Sequence, residues 1–133
     1  MSVVVVTDKS GRATTFDCRP GERILHAGLR AGAALPYDCA TGTCGACRAT
    51  VVDGSIAPLW DDAPGAKRIK SAQDGLMCQM AARSDCALTI RTAFPGASSS
   101  VRPSYSAGEI ALVERLTPEV ATFRMALDAP LDY

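Results

Sequence analysis

Three cysteines crowd into nine residues of this chain, Cys39, Cys44 and Cys47, and a fourth, Cys78, follows thirty-one positions later. No other feature restricts the fold as strongly. A short loop can present three sulfurs to one side of a bound group, and the fourth must come from a distant stretch of chain. The spacing C-x4-C-x2-C…C suits a two-iron, two-sulfide cluster, in which each iron takes two thiolates to complete a tetrahedron. The residues between the ligands are small. Gly42, Thr43, Gly45 and Ala46 let the backbone pass close to the cluster, so that main-chain N–H groups can reach its sulfurs. Glycine also tolerates positive φ where such a loop turns tightly.

Rival readings of the same cysteines are weaker. Zinc sites usually pair two short-spaced ligand couples, and here the fourth cysteine stands alone. Cys44-Gly45-Ala46-Cys47 has the form of a redox dithiol, but that motif should open a long helix after a strand. A disulfide framework expects a secreted chain, and no basic region followed by a long apolar stretch opens this one. A Rieske centre needs two histidines, and the sequence has one, His26, inside a helical pattern. Cys18 and Cys86 sit beside Phe16 and Leu88 on strand-like stretches and read as small buried apolar residues. Trp60 with Asp61 and Asp62 reads as a solvated loop with one partly packed indole.

Around the cysteines the pattern is α+β. Val3–Val6 reads as a strand, Asp8–Gly11 as a turn, and Thr14, Phe16 and Cys18 share one face of a second strand. From Glu22 the period changes. Ile24 and Gly28, and Leu25 and Leu29, are four apart, as in a short amphipathic helix ending near Gly32. Residues 48–53 read as a third strand. Residues 57–72, with two prolines, read as an irregular excursion containing at most a helical turn. Cys86, Leu88 and Ile90 alternate along a further strand. Residues 95–107 have the Ser, Gly and Pro content of a linker. Strand patterns then resume over 109–116 and 123–127, too little to bury a core alone.

The order strand, strand, helix, Leu35-Pro36-Tyr37-Asp38-Cys39, cysteine loop, strand and Gly75-Leu76-Met77-Cys78 resembles the plant-type 2Fe–2S ferredoxin domain and its β-grasp fold, over about residues 2–93. The resemblance implies cluster ligands at Cys39, Cys44, Cys47 and Cys78. The chain departs from many members at Ala40, where a long polar residue is common. The tail Gly108–Met125, with Ala129-Pro130-Leu131-Asp132-Tyr133, resembles the first strands of the flavin-binding barrel of ferredoxin–NADP reductase relatives. The implied layout is a ferredoxin-type domain at 1–94, a linker at 95–107, and at 108–133 the first strands of an incomplete antiparallel barrel. That layout is the one found in NAD(P)H-dependent reductase components of bacterial Rieske dioxygenases and di-iron monooxygenases. On that reading the partners are a flavin domain in cis and an oxygenase component in trans. FAD and NAD(P)H belong to a part beyond Tyr133, and this stretch alone is an electron carrier. The alternative is a free-standing ferredoxin shuttling between separate proteins.

Charge bears on the choice. Fourteen Lys and Arg balance fourteen Asp and Glu, which leaves no basic footprint for nucleic acid. Residues 1–95 hold eleven basic against nine acidic residues, a net of +2. Plant photosynthetic ferredoxins are strongly acidic and are steered to their partners. A near-neutral domain suits a tethered partner, whose linker supplies effective concentration. The longest aliphatic run, Val3–Val6, is far too short to span a bilayer. A cytoplasmic monomer is the expectation.

Overall fold

The valine run at the N-terminus becomes the hub of a mixed sheet. Strand β1 (Ser2–Thr7) pairs antiparallel with β2 (Ala13–Cys18), in register from Ser2↔Cys18 to Thr7↔Ala13. Alternation sends Val4 and Val6 into the core, beside Phe16 and Cys18 of β2. Helix α1 (Ile24–Arg30) follows and buries Ile24, Leu25, Ala27 and Gly28. After the cysteine loop come β3 (Arg48–Asp53), β4 (Ile56–Pro58), a 3-10 turn at Pro64–Arg68, β5 (Asp74–Leu76), a 3-10 turn at Met77–Gln79, β6 (Met80–Ala82) and β7 (Cys86–Thr89). The five-stranded sheet runs β2-β1-β7-β3-β5, and β4 and β6 form a separate ribbon. β7 returns parallel to β1, with Val4 opposite Cys86 and Val6 opposite Leu88. This central parallel pair flanked by antiparallel strands, with one helix laid on the sheet, is the expected ferredoxin-type α+β arrangement. The computed structural model describes residues 1–96 and 105–131.

The strands and helix read from the sequence are present within a residue or two. Residues 57–72 hold the helical turn read from the sequence, at Pro64–Arg68; the short strand β4 that overlaps their start was not read. Most of the expected linker lies outside the described residues.

A buried carboxylate ties the end of this sheet to the chain's exit. Asp8 Oδ1 accepts from the Ser10 amide (2.8 Å), the Ser10 hydroxyl (2.6 Å) and the Arg12 amide (3.1 Å). Its Oδ2 accepts from Arg12 Nη2 (2.9 Å) and from the amide of Phe94 (3.0 Å). Residue 94 is thereby fastened to the β1–β2 turn, eighty-six positions away in sequence.

The chain divides into two compact units, Met1–Arg102 and Pro103–Tyr133. The second holds an antiparallel hairpin, β8 (Gly108–Arg115) and β9 (Ala121–Leu127). Its turn is organised by the Thr117 hydroxyl, which accepts from the Val120 amide at 3.0 Å. Among the described residues no closed barrel forms. The hairpin leaves Ile110, Val113 and Phe123 more than 60% exposed.

Candidate metal centre

The loop entering the site leaves helix α1 through Leu35, which is buried against Gly28. It then runs outward, with Tyr37 and Asp38 exposed, and folds back over Cys39–Cys47. Three of its main-chain N–H groups point at sulfur. Cys39 Sγ accepts from the amides of Thr41 (3.4 Å) and Cys44 (3.3 Å), and Cys44 Sγ accepts from Ala46 (3.4 Å). Two glycines make that path possible, at φ +90° for Gly42 and +75° for Gly45. A side chain at either would also collide: a Cβ on Gly42 would meet Gln79 Cγ at 2.9 Å, and one on Gly45 would meet Arg68 Cδ at 2.9 Å. Ala40 takes φ +54°, the one left-handed non-glycine residue among those described. The departure noted in the sequence therefore sits at a strained point of the loop.

The four cysteines are all free thiols and fall into two couples. Cys44 donates its amide to Cys39 Sγ at 3.3 Å, while Cys78 comes up beside the end of the loop that carries Cys47. The Met77 amide donates to the Cys47 carbonyl at 3.0 Å, which brings the distant Cys78 turn onto the end of the loop. Cys39 and Cys44 are partly exposed, whereas Cys47 and Cys78 are buried. The environments differ accordingly. The Thr41 hydroxyl and the Thr41 and Cys44 amides hold the Cys39 thiol down at about 5, so it ionises readily. Burial first, and neighbouring thiols second, push Cys47 up to about 12. A thiolate at that buried position therefore calls for a metal cation to take its charge.

Among the described residues, no group of three or more His, Cys, Asp and Glu side chains is placed to hold a single metal ion. A two-iron, two-sulfide cluster takes two thiolates at each iron, and the four thiols lie on one loop and on the turn tied to its end. With the N–H groups aimed at sulfur, this donor set fits an iron–sulfur cluster.

Cys18 and Cys86 behave as read from the sequence, both buried in the sheet on β2 and β7, with thiols raised first by burial. His26 lies on α1, as expected. Sequence reasoning missed Gln79, Gly65 and Arg68, which touch the cysteine loop from outside. Gln79 did leave a signal, a polar residue inside the apolar run 76–80, and it is only 6% exposed. Gly65 and Arg68 left none, because Pro64-Gly65 reads as an ordinary surface turn.

Comparisons with known proteins point to the same kind of bound group. A family model for the 2Fe-2S iron-sulfur cluster binding domain matches residues 7–83. The ferredoxin–NAD(+) reductase component of the alkene monooxygenase system of Xanthobacter autotrophicus is 33% identical over 122 residues, covering 90% of this chain and 36% of that protein. A reductase component of terephthalate 1,2-dioxygenase from Comamonas is 39% identical over 70 residues, covering 53% of this chain and 20% of that protein. The solved ferredoxin reductase of carbazole 1,9a-dioxygenase superposes with a TM-score of 0.77 at 25% identity, covering 98% of this chain and 39% of that one. This chain thus spans well under half the length of each of these reductases. It also resembles the chloroplastic ferredoxin C 1 of Arabidopsis thaliana, 33% identical over 84 residues, with 62% of this chain and 52% of that protein covered. No described helix is long and apolar enough to cross a membrane.

Proposed function

The chain belongs to the 2Fe–2S iron–sulfur cluster binding domain family, and from that premise we propose that it carries single electrons on a cluster held by Cys39, Cys44, Cys47 and Cys78. The observation that carries the ligand assignment is that the Met77 amide ties the Cys78 turn to Cys47 at the end of the loop, which sets a buried couple, Cys47 and Cys78, beside a partly exposed one, Cys39 and Cys44. Cys39 and Cys44 would hold one iron, Cys47 and Cys78 the other. When bound, the cluster supplies one-electron redox chemistry at low potential. The protein's own part is electrostatic and steric. The amides of Thr41, Cys44 and Ala46 place positive dipole ends on ligand sulfur, which favours the more negative, reduced state. Buried Leu76, Met77 and Met80 exclude water from the Cys78 side. The thin loop over Cys39 and Cys44 leaves the other side close to solvent, where a partner can approach.

The wider role is that of the ferredoxin part of an oxygenase reductase, taking electrons from an NAD(P)H-reduced flavin in cis and passing them to a dioxygenase or monooxygenase component. The matches to alkene monooxygenase and terephthalate dioxygenase reductases support this reading. So does the hairpin β8–β9, whose apolar residues need a cover that a complete flavin barrel would provide. On this proposal residues 1–94 are the ferredoxin domain, 95–107 the linker and 108–133 the start of the barrel, with the longer protein supplying FAD and NAD(P)H sites. The test is iron and acid-labile sulfide analysis of anaerobically purified protein, followed by low-temperature EPR after dithionite reduction. Two irons and two sulfides per chain with a rhombic signal are expected. One zinc, or a colourless protein that cannot be reconstituted, refutes the proposal.

A further inference from the structure

The excursion between β4 and β5 reads from the sequence as a surface loop. Its 3-10 turn, Pro64–Arg68, does not stand in solvent on both sides. Gly65 is buried, and its N–H donates to the Gly42 carbonyl at 2.8 Å. Two backbone segments, the turn and the cysteine loop, meet there without side chains between them. A Cβ on Gly65 would stand 2.8 Å from both Gly42 O and Gly45 N, and one on Gly42 would stand 3.3 Å from Ala63 Cβ. Gly42 is correspondingly buried while its neighbours Thr41 and Thr43 are exposed. The middle of the cysteine loop is covered by this turn and by the side chain of Gln79.

The ends of the excursion are fastened beside the two buried cysteines. Its entry is held by the Leu59 amide, which donates to the carbonyl of Gln79 at 2.8 Å, one residue after Cys78. Its exit is held by the guanidinium of Arg48, one residue after Cys47, which donates to the Arg68 carbonyl. Ala66 and Ile69 pack against the core between these ties. The segment therefore closes a ring through the loop, the start of β3 and the Cys78 turn.

We infer that Ala63–Arg68 is a brace that sets the position of the cysteine loop, with Gly65 as its positioning residue, and that it governs both the potential of the cluster and how readily the cluster is lost. The inference rests on the ligand assignment proposed above. Its physical content is a lever. Moving Gly42 O or Gly45 N outward by a few tenths of an ångström displaces Cys44 between them. The amides of Cys44 and Ala46 then swing off the sulfurs they address at 3.3 and 3.4 Å. Weaker N–H···S contacts destabilise the reduced state and leave the loop easier to open.

The test uses the cluster-loaded chain and its Gly65→Ala variant. In excess EDTA under anaerobic conditions, decay of the visible absorbance should be about fivefold faster in the variant, the factor that one lost backbone hydrogen bond corresponds to. The midpoint potential should move to a more negative value and the EPR g-values should shift. Two controls separate a brace from general weakening. Gly96→Ala, with nothing within 4 Å of the added Cβ, should match the parent chain. Gly54→Ala, strained where β3 ends against Asp85 and Cys86, should lower global stability and leave the potential unchanged. If Gly65→Ala does not fold, Arg48→Leu and Arg48→Lys decide. Leu releases the exit tie and should speed cluster loss, and Lys, which keeps a donor, should restore most of the difference. Parent-like decay and potential in both Gly65→Ala and Arg48→Leu overturn the brace, as does a potential shift of equal size in Gly54→Ala. A parent chain that holds no iron and sulfide overturns the ligand assignment, and the brace with it.

Discussion

Gly28→Ala pits two effects of known size against each other, and the structure decides the sign. Gly28 lies inside α1, where an alanine should stabilise the helix by about 0.5–1 kcal/mol on backbone grounds alone. A Cβ there, however, would overlap Leu35 Cδ1 and stand 3.0 and 3.1 Å from two ring carbons of Phe16. Both neighbours are buried, at 2% and 4% exposure, so neither can swing aside. Overpacking of this kind costs roughly 1–3 kcal/mol. The net is a loss of about 1 kcal/mol, and Tm should fall by about 4–8 °C for a domain of this size. Leu35 also opens the stretch leading to Cys39, so the strain is delivered to the mouth of the metal site. The assay is urea unfolding of cluster-loaded protein followed by far-UV circular dichroism. In a Leu35→Ala background the worst overlap is gone, and the same substitution should cost at least ~0.5 kcal/mol less. A Gly28→Ala chain that is more stable than the parent, as helix propensity alone requires, would refute the packing argument.

Three further outcomes follow from the same geometry. Cys78→Ser should abolish or sharply weaken the visible and EPR signatures, while Cys18→Ser leaves them intact; a normal spectrum in the Cys78 variant removes it from the ligand set. Burial alone would raise the Asp8 carboxyl, but the Ser10 hydroxyl, the Phe94 and Ser10 amides and Arg12 outweigh it and hold the group well below the usual carboxylate range. Its contribution is therefore present above the unfolded carboxyl pKa of ~4 and is lost as pH falls below that value. The acid limb of a stability–pH curve should flatten in Asp8→Asn, and an unchanged limb contradicts the assignment. Gly54 sits at φ +82°, where an added Cβ would strike the Asp85 carbonyl and stand 2.7 Å from Cys86 Cα. Gly54→Ala should cost at least the ~1–2 kcal/mol of a left-handed L-residue, read from the urea midpoint, and a change below ~0.5 kcal/mol refutes it.

Much of this protein was legible in its residues because the controlling interactions are local or repeat with a fixed period. Alternation along Val3–Val6 and Cys86–Ile90, the helical spacing of Ile24, Leu25 and Gly28, and three cysteines within one loop each announce their geometry over a few residues. The identity of the bound group was legible for the same reason, since ligand spacing follows from cluster shape. The sequence also set Cys18 and Cys86 apart by their apolar neighbours, and both are buried in the sheet.

What remained belongs to contacts between distant segments. The parallel return of β7 onto β1 brings Cys86 opposite Val4, and no local pattern encodes which strand a strand will pair with. The division of four thiols into a buried and a partly exposed couple depends on Met77 reaching the Cys47 carbonyl, thirty positions back. Residues 57–72 read as an irregular surface excursion, and only folding reveals Gly65 as a residue whose missing side chain lets two backbones touch. Composition and spacing determined what this chain can hold. Tertiary packing decided how tightly it is held and which side faces water, because burial and close approach are properties of surfaces that meet only after the chain has folded.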